Sequence, residues 1–369
     1  MKLTKFFALA LAAIATFAFV GCGSDDETNA PFSGSLFLTA DKESVSKGET
    51  VQFIVTDSDG NNVTSRATIY DSNMTKYSGG KFVAKETGKY EFFATLGTET
   101  SNYQKIIVVA EMPTLPADPQ PSNVKFNHRP LVVDITGVNC PACPYAMDEL
   151  VALEESEWHG KYNEVTCHAG GYAGGDPAAS SAATALHNFY GNNIGGYPTI
   201  MVNLYTTTAD YGMSSIKKAL TSCYKKDGAD IGISMAVTGD PETVYCAASV
   251  KAAVSKEYKV TAWLLENKIS SPKQKGGSKP YHYIYNNALR NMAHKNFSQT
   301  NVQGESIGVL AEGETKELAF ELGVTLAKWN FKNMSVLVVV TAKDDNNRWE
   351  VVNSLCCPID EFRTFEYLE

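Results

Sequence analysis

The 369 residues predict a multidomain α+β protein, on three observations. Apolar and polar residues alternate through 34–112 as they do in half-buried strands, apolar runs alternate with helical patterns through 125–228, and strand-like runs return through 229–369. A chain of this length exceeds one ordinary hydrophobic core, so two or three domains are expected beyond any targeting segment.

Lys2 and Lys5 precede an apolar stretch from Phe6 to Val20, which ends in Gly21-Cys22 and gives way to Gly23-Ser24-Asp25-Asp26-Glu27. That pattern is a targeting segment, shorter than the roughly 20 residues a spanning helix needs. A Cys after small residues resembles a bacterial lipobox, so residues 1–21 are expected to be a lipoprotein signal peptide. Cys22 would then carry the acyl anchor of palmitate type, and 22–33 would form an acidic tether. The acidic cluster resembles the export signal of surface lipoproteins of Bacteroidetes, and either face of the outer membrane is open. No later run spans a bilayer, so the membrane is expected as a partner through the lipid at Cys22 alone.

Gly48 to Val55 begins the first alternating pattern, and further strands are expected at 67–70, 81–84, 88–96 and 105–110. Asp-Gly, Gly-Gly and Thr-Gly pairs punctuate them, which makes 34–112 an immunoglobulin-like β-sandwich. Within it, Asp57-Ser58-Asp59-Gly60-Asn61 lacks the carboxylate spacing of a calcium loop and reads as a turn. Residues 113–124 follow as a proline-rich linker, stiff and unsuited to strand or helix.

From 125 to 228 the order is strand 131–135, helix 141–158, strand 164–169, helix from Asp176 to about 190, strand 199–204 and helix 214–226. Asp176-Pro177 looks like an N-cap followed by proline at the first helical position. Strands are then expected at 231–237, 243–250, 258–266, 316–322, 335–341 and 349–352, making 229–369 a C-terminal β-sandwich.

Chemistry is concentrated in Cys140-Pro141-Ala142-Cys143, placed between an apolar strand and a helix start. Two thiols at that spacing close a small disulfide, and the helix dipole favours a thiolate on the first sulfur. Cys140 is expected to be the exposed attacking thiol, with Pro141 at the first helical position, and Cys143 the buried resolving one. Tyr197-Pro198-Thr199 precedes the next strand, and Pro198 is a candidate cis proline beside which an extended substrate backbone could pair. With these parts the block 125–228 resembles a thioredoxin-like α/β domain.

Asp134, six residues before Cys140, reads either as a buried acid that takes the proton of Cys143 or as a strand-end cap. His168 reads first as a solvent-facing histidine, and otherwise as a neighbour that favours the thiolate. Cys167 is expected to point into the core.

A lone C-x-x-C also suits a structural disulfide or half a zinc site. No second Cys pair or His pair follows at zinc spacing, so no metal is expected, and no other cofactor. Protein or peptide thiols and disulfides are the expected partners of an exchange site.

Of the 8 cysteines, Cys223, Cys246, Cys356 and Cys357 could pair among themselves outside the cytoplasm, in an arrangement the spacing leaves open. Lys275-Gly276-Gly277-Ser278-Lys279 lacks P-loop spacing and reads as a flexible loop. The net charge of −9 and the absence of a basic stripe exclude nucleic acid as a partner.

Several of these segments recur together. Val132 to Gly137, Cys140 to Pro144, Gly175-Asp176-Pro177, Phe189-Tyr190-Gly191, Gly196 to Thr199 and Asn287-Ala288-Leu289-Arg290 resemble the twenty-eight-kilodalton outer-membrane protein family of Bacteroidetes. The resemblance implies an outer-membrane lipoprotein in which a thioredoxin-like domain precedes a β-rich one. Two functions follow as expectations: disulfide exchange through Cys140 and Cys143, or a non-enzymatic binding lipoprotein whose disulfide stiffens the fold.

Overall fold

The computed structural model describes residues 32, 34–42, 44–109, 112–293, 302–324 and 329–368. Cys22, the signal segment and nearly all of the tether lie outside them. The chain divides into two compact units, one ending at residue 111 and the other running from 112 to the C-terminus.

The first unit is built of strands. β1 (Phe37–Ala40), β3 (Thr50–Thr56) and β6 (Lys81–Val83) form one antiparallel sheet; β3 shares a register with both neighbours. β2 (Ser44–Ser46), β4 (Thr68–Asp71), β5 (Lys76–Tyr77), β7 (Gly88–Leu96), β8 (Glu99–Thr100) and β9 (Gln104–Val109) form a second. Alternate residues Val51, Phe53 and Val55 of β3 point into a shared core with Ile69, Phe82, Phe92 and Ile106, which is the burial a period of two dictates. The Asp57 to Asn61 segment is a turn, its Asp57 carboxylate accepting from the backbone of Asp59 and Asn61.

The second unit holds β10 (Leu131–Thr136), α1 (Cys143–Glu154), β11 (Asn163–His168), α2 (Ser181–Tyr190), β12 (Thr199–Val202), β13 (Thr206–Thr207) and α3 (Met213–Cys223). There follow β14 (Ile231–Gly239), β15 (Thr243–Ala252), β16 (Lys256–Glu266), β17 (Ile269–Ser270), β18 (Ile284–Tyr285) and β19 (Ala288–Met292). The last strands are β20 (Glu305–Leu310), β21 (Thr315–Gly323), β22 (Met334–Lys343), β23 (Trp349–Pro358) and β24 (Phe362–Arg363).

Among the described residues one nine-stranded sheet runs in the order β13-β12-β10-β11-β19-β16-β22-β23, with β20 also on β16. β10 is parallel to β11 and antiparallel to β12, so it is central to its part of the sheet. β19 is the seam, parallel to β11 through Thr166 and Ala288 and antiparallel to β16. The sheet therefore passes without a break across residues 228 and 229, where the sequence suggests a boundary.

The cores follow the same continuity. Leu131, Val133, Ile135, Val165 and Cys167 pack with Leu186 of α2 and with Trp263, Leu265, Leu289, Leu337 and Val339 from the later strands. On the opposite face Val132, Ile200 and Val202 pack with α1 and α3. A four-stranded sheet, β21-β15-β14-β24, lies over the later strands and encloses a further core that includes Met235, Cys246, Leu264, Val338 and Cys357.

The proline-rich segment is also tied down. Buried Lys251 donates to Pro121 O at 2.6 Å and pairs with Asp118 at 3.0 Å, while the rings of Phe126, Phe365 and Tyr367 surround its ammonium.

Among the described residues no helix is long and apolar enough to cross a membrane, which leaves β-barrels unaddressed.

Candidate functional site

β10 carries its apolar run to the end of the sheet and hands over at Thr136 to a tight turn. Gly137 is required there, because a Cβ would stand 2.7 Å from the carbonyl oxygen of Tyr172. Val138 N donates to Asp176 Oδ2 at 2.7 Å, Asn139 N to Tyr172 O at 3.0 Å, and Cys140 N to Gly137 O at 3.0 Å. The backbone is thereby aimed so that Cys140 and Cys143 meet in a disulfide, their Cα atoms 5.5 Å apart.

Cys143 is the first helical residue, and Pro144 takes the second position, where a missing N–H costs nothing. The expected helix over 141–158 is thus shorter at both ends. Pro141 and Ala142 form a bend before it, and Glu155 closes it by donating back to Val151 O. Cys140 is also not exposed: it retains 1% of its accessible surface and Cys143 none, and Gln274 and Lys275 of the segment 271–283 bond to the backbone of the turn.

Asp134 is buried on β10, on the same face as Val132 and therefore toward α1 and α3. Its Oδ1 has no hydrogen-bond partner, so the strand-end cap is not what the carboxyl does. Burial first, and the nearby Glu164 charge second, push it well above the usual carboxylate range. Burial, with a smaller contribution from Glu154, lifts Glu164 to about 7.

The Tyr197-Pro198 bond is cis. Thr199 pairs with Ile135 across β12 and β10, which sets Pro198 at the end of the sheet from which the Cys140 turn departs. Tyr197 donates its hydroxyl to Ala169 O at 2.9 Å and lays its ring 5.0 Å from that of Tyr172, and Thr199 Oγ1 donates to Gly196 O at 2.7 Å. The side chains of Tyr197 and Thr199 thus shape the turn, and the half-buried stretch from Tyr197 to Thr199 follows the exposed backbone of Gly195 and Gly196.

His168 and Asp176 depart from their sequence readings. His168 is buried, with Nδ1 2.9 Å from Asp176 Oδ2 and its ring 4.3 Å from that of Tyr285. Asp176 does not cap α2, which begins at Ser181 under Ser180, whose Oγ accepts from Ala183 N at 3.0 Å. The Asp176 carboxylate instead fastens the Cys140 turn through Val138. Burial opposes its charge, but the His168 bond and two backbone donors hold its pKa below the ordinary value.

Two residues that sequence reasoning passed over complete the site. Gln274 Nε2 donates to Cys140 O at 3.0 Å, and Tyr285 donates its hydroxyl to Gln274 Oε1 while accepting from Ser271 Oγ at 2.7 Å. Gln274 lies 134 residues from Cys140, and no local signal announces such a contact.

Cys167, Cys223, Cys246, Cys356 and Cys357 are free thiols, so the pairing expected among the last four does not occur. Each of these four is held by strand or helix packing, and burial raises its thiol pKa. Cys167 points into the core as expected. No group of side chains among the described residues is arranged to hold a metal ion.

Residues 183–356 match the family model described as Outer membrane protein Omp28. That segment is similar to the Omp28 family. The Omp28 match begins inside α2, runs through the seam and the later strands, and leaves Cys140 and Cys143 outside it.

In fold the chain is similar to HBP35 of Porphyromonas gingivalis, with a TM-score of 0.53 and 15% identity over 66% of this chain and 78% of that one. A putative membrane anchored protein from Corynebacterium diphtheriae aligns over 91% of this chain and 60% of its own with 11% identity, but its TM-score is 0.22. No curated protein matches the chain.

Proposed function

We propose that this is a lipid-anchored outer-membrane protein that exchanges disulfides with extracytoplasmic proteins or peptides through Cys140 and Cys143. The observation that carries the reading is the Cys140–Cys143 disulfide at the start of α1, directly after the strand on which Asp134 is buried. The order of β13, β12, β10 and β11, the helix after β10 and the cis Pro198 before β12 support a thioredoxin-like reading of this part of the sheet. The two sheets of the first unit support an immunoglobulin-like one. The Omp28 segment supports the outer membrane as the site of action, and the lipobox resemblance supports anchorage at Cys22.

In the exchange a partner thiolate attacks Cys140 Sγ, the Cys140–Cys143 bond breaks, and Cys143 leaves as a thiolate. A second partner thiolate then attacks the partner sulfur of the mixed disulfide, Cys140 leaves, and the pair is reduced while the partner gains a disulfide. In the opposite direction the Cys140 thiolate attacks a partner disulfide and one partner thiolate leaves. Cys143, its proton passing to Asp134, then attacks Cys140 Sγ, so that the Cys140–Cys143 bond re-forms and the second partner thiolate is released. Tyr197, Pro198 and Thr199 would flank the partner backbone.

Cys140→Ser is expected to abolish reduction of insulin disulfides, and Cys143→Ser to accumulate mixed disulfides with envelope proteins. Activity that persists in Cys140→Ser removes the proposal. The burial of both sulfurs favours a second reading, a binding lipoprotein with a structural disulfide. Partners retained equally by wild type and by a chain lacking both cysteines would establish that one.

A further inference from the structure

The cover over the disulfide comes from far along the chain. Residues 271–283 form the loop of a hairpin closed by β17 and β18. The base is fixed: Ile269 and Tyr285 are buried with Ala178 and Ala288, and Met147 of α1 packs against them.

Above the base the character changes. Pro272, Lys273, Lys275, Gly276 and the stretch from Ser278 to Pro280 are exposed, and none places a large apolar side chain in the core. The loop is held to the site by single polar contacts. Lys275 N donates to Val138 O at 2.9 Å, beside the Gln274 bond to Cys140 O. Gly276 (φ +74°) lies so close to the turn that a Cβ would stand 2.1 Å from Pro141 O.

At its far end the loop is fastened to α1 by Asp148, which accepts from Lys279 Nζ at 2.8 Å, from the Tyr281 hydroxyl and from His282 Nε2 at 2.8 Å. His282 Nδ1 accepts from the N–H groups of Ser278 and Lys279, so its ring proton sits on Nε2, facing Asp148. The Lys279 and Asp148 side chains keep 49% and 26% of their exposure. Water can replace the Lys279 bond to Asp148, while Gln274 and His282 are buried, and a segment held by a few polar contacts with no large apolar anchor opens locally beside a fixed core.

We propose that residues 271–283 are a retractable cover, hinged on β17 and β18 and latched to α1 through Asp148, and that a partner thiol reaches Cys140 only when the cover lifts. The proposal rests on the exchange reading for its biological use, but the cover can be measured without it. It reconciles a C-x-x-C placed for exchange with sulfurs that have almost no accessible surface.

The test is the rate at which dithiothreitol reduces the Cys140–Cys143 bond in the full chain, followed by alkylation of the released thiols. The reagent's thiolate attacks Cys140 Sγ and Cys143 leaves; its second thiol closes the ring and frees Cys140. Two electrons and two protons pass to the cysteine pair, and the reagent becomes a cyclic disulfide. Gly276→Ala pushes the loop off Pro141, and Asp148→Asn weakens the latch without changing its size. Both are expected to speed reduction at least about fivefold and to hasten amide exchange in 273–283, because the rate follows the open population.

Reduction rates in both variants within about twofold of wild type overturn the cover. Faster reduction in both, without insulin reduction by either, upholds the cover and removes the exchange reading. Insulin reduction by the wild type with unchanged variant rates removes the cover and keeps the exchange reading.

Discussion

Glu164 and Asp134 sit on adjacent parallel strands, Glu164 opposite Val132 and Asp134 opposite Thr166, and burial drives both toward the neutral form. An acid that ionises near 4.5 when unfolded and near 7 when folded withdraws stability as the pH rises between those values, since the unfolded chain loses the proton first. Glu164→Gln should therefore match wild type in urea unfolding at pH 4 and exceed it at pH 8 by on the order of 2 kcal/mol. A difference that does not change with pH would show that Glu164 is already ionised in the fold. For the proposed exchange, Asp134→Asn should slow release of the mixed disulfide by about 100-fold and flatten its pH dependence. The disulfide, the cis proline and the acid on β10 were legible because their pattern lies within short spacings. His168 and Asp176 were not: their roles depend on Val138 and Tyr285, and Asp176-Pro177 spells a helix cap where the backbone makes a turn.

At the scale of elements, the strand runs read from 231 to 352 all appear, but β19 escaped notice. It has five residues, Arg290 in the middle, and no apolar periodicity long enough to register. Arg290 is nevertheless buried: its Nε donates to Glu266 Oε2 at 2.7 Å, its Nη1 to Pro177 O at 3.0 Å, and its guanidinium lies 5.1 Å from the Trp329 ring. The other Glu266 oxygen accepts from Asn330 N at 2.8 Å. Removing one partner strands a buried charge, so Arg290→Met should cost about 3–5 kcal/mol in chemical unfolding. Adding Glu266→Gln should recover a large part of that loss, and a double variant no better than the single would mean that packing on Trp329 outweighs the charge pair.

The whole molecule divides differently from the pattern of its sequence. A helix ends at Cys223 and strand-rich sequence begins soon after, which spells a domain boundary near 228 to any reading of composition. The hydrogen bonds say otherwise: Thr166 N donates to Asn287 O at 2.9 Å, joining strands that lie 121 residues apart, and such pairing leaves no trace in local sequence. A fragment ending at 228 would leave the edge of β11 open and strip Val165 and Cys167 of Trp263, Leu265 and Leu289. Long apolar edges of this kind aggregate rather than fold. Residues 112–369 keep every strand of the nine-stranded sheet and all the cores built on it, so this fragment should unfold in a single cooperative urea transition. Residues 112–228 alone should give no such transition and should bind a hydrophobic dye. A soluble, cooperatively folding 112–228 would show instead that the four strands around β10 close a core of their own and that β19 is docked on it.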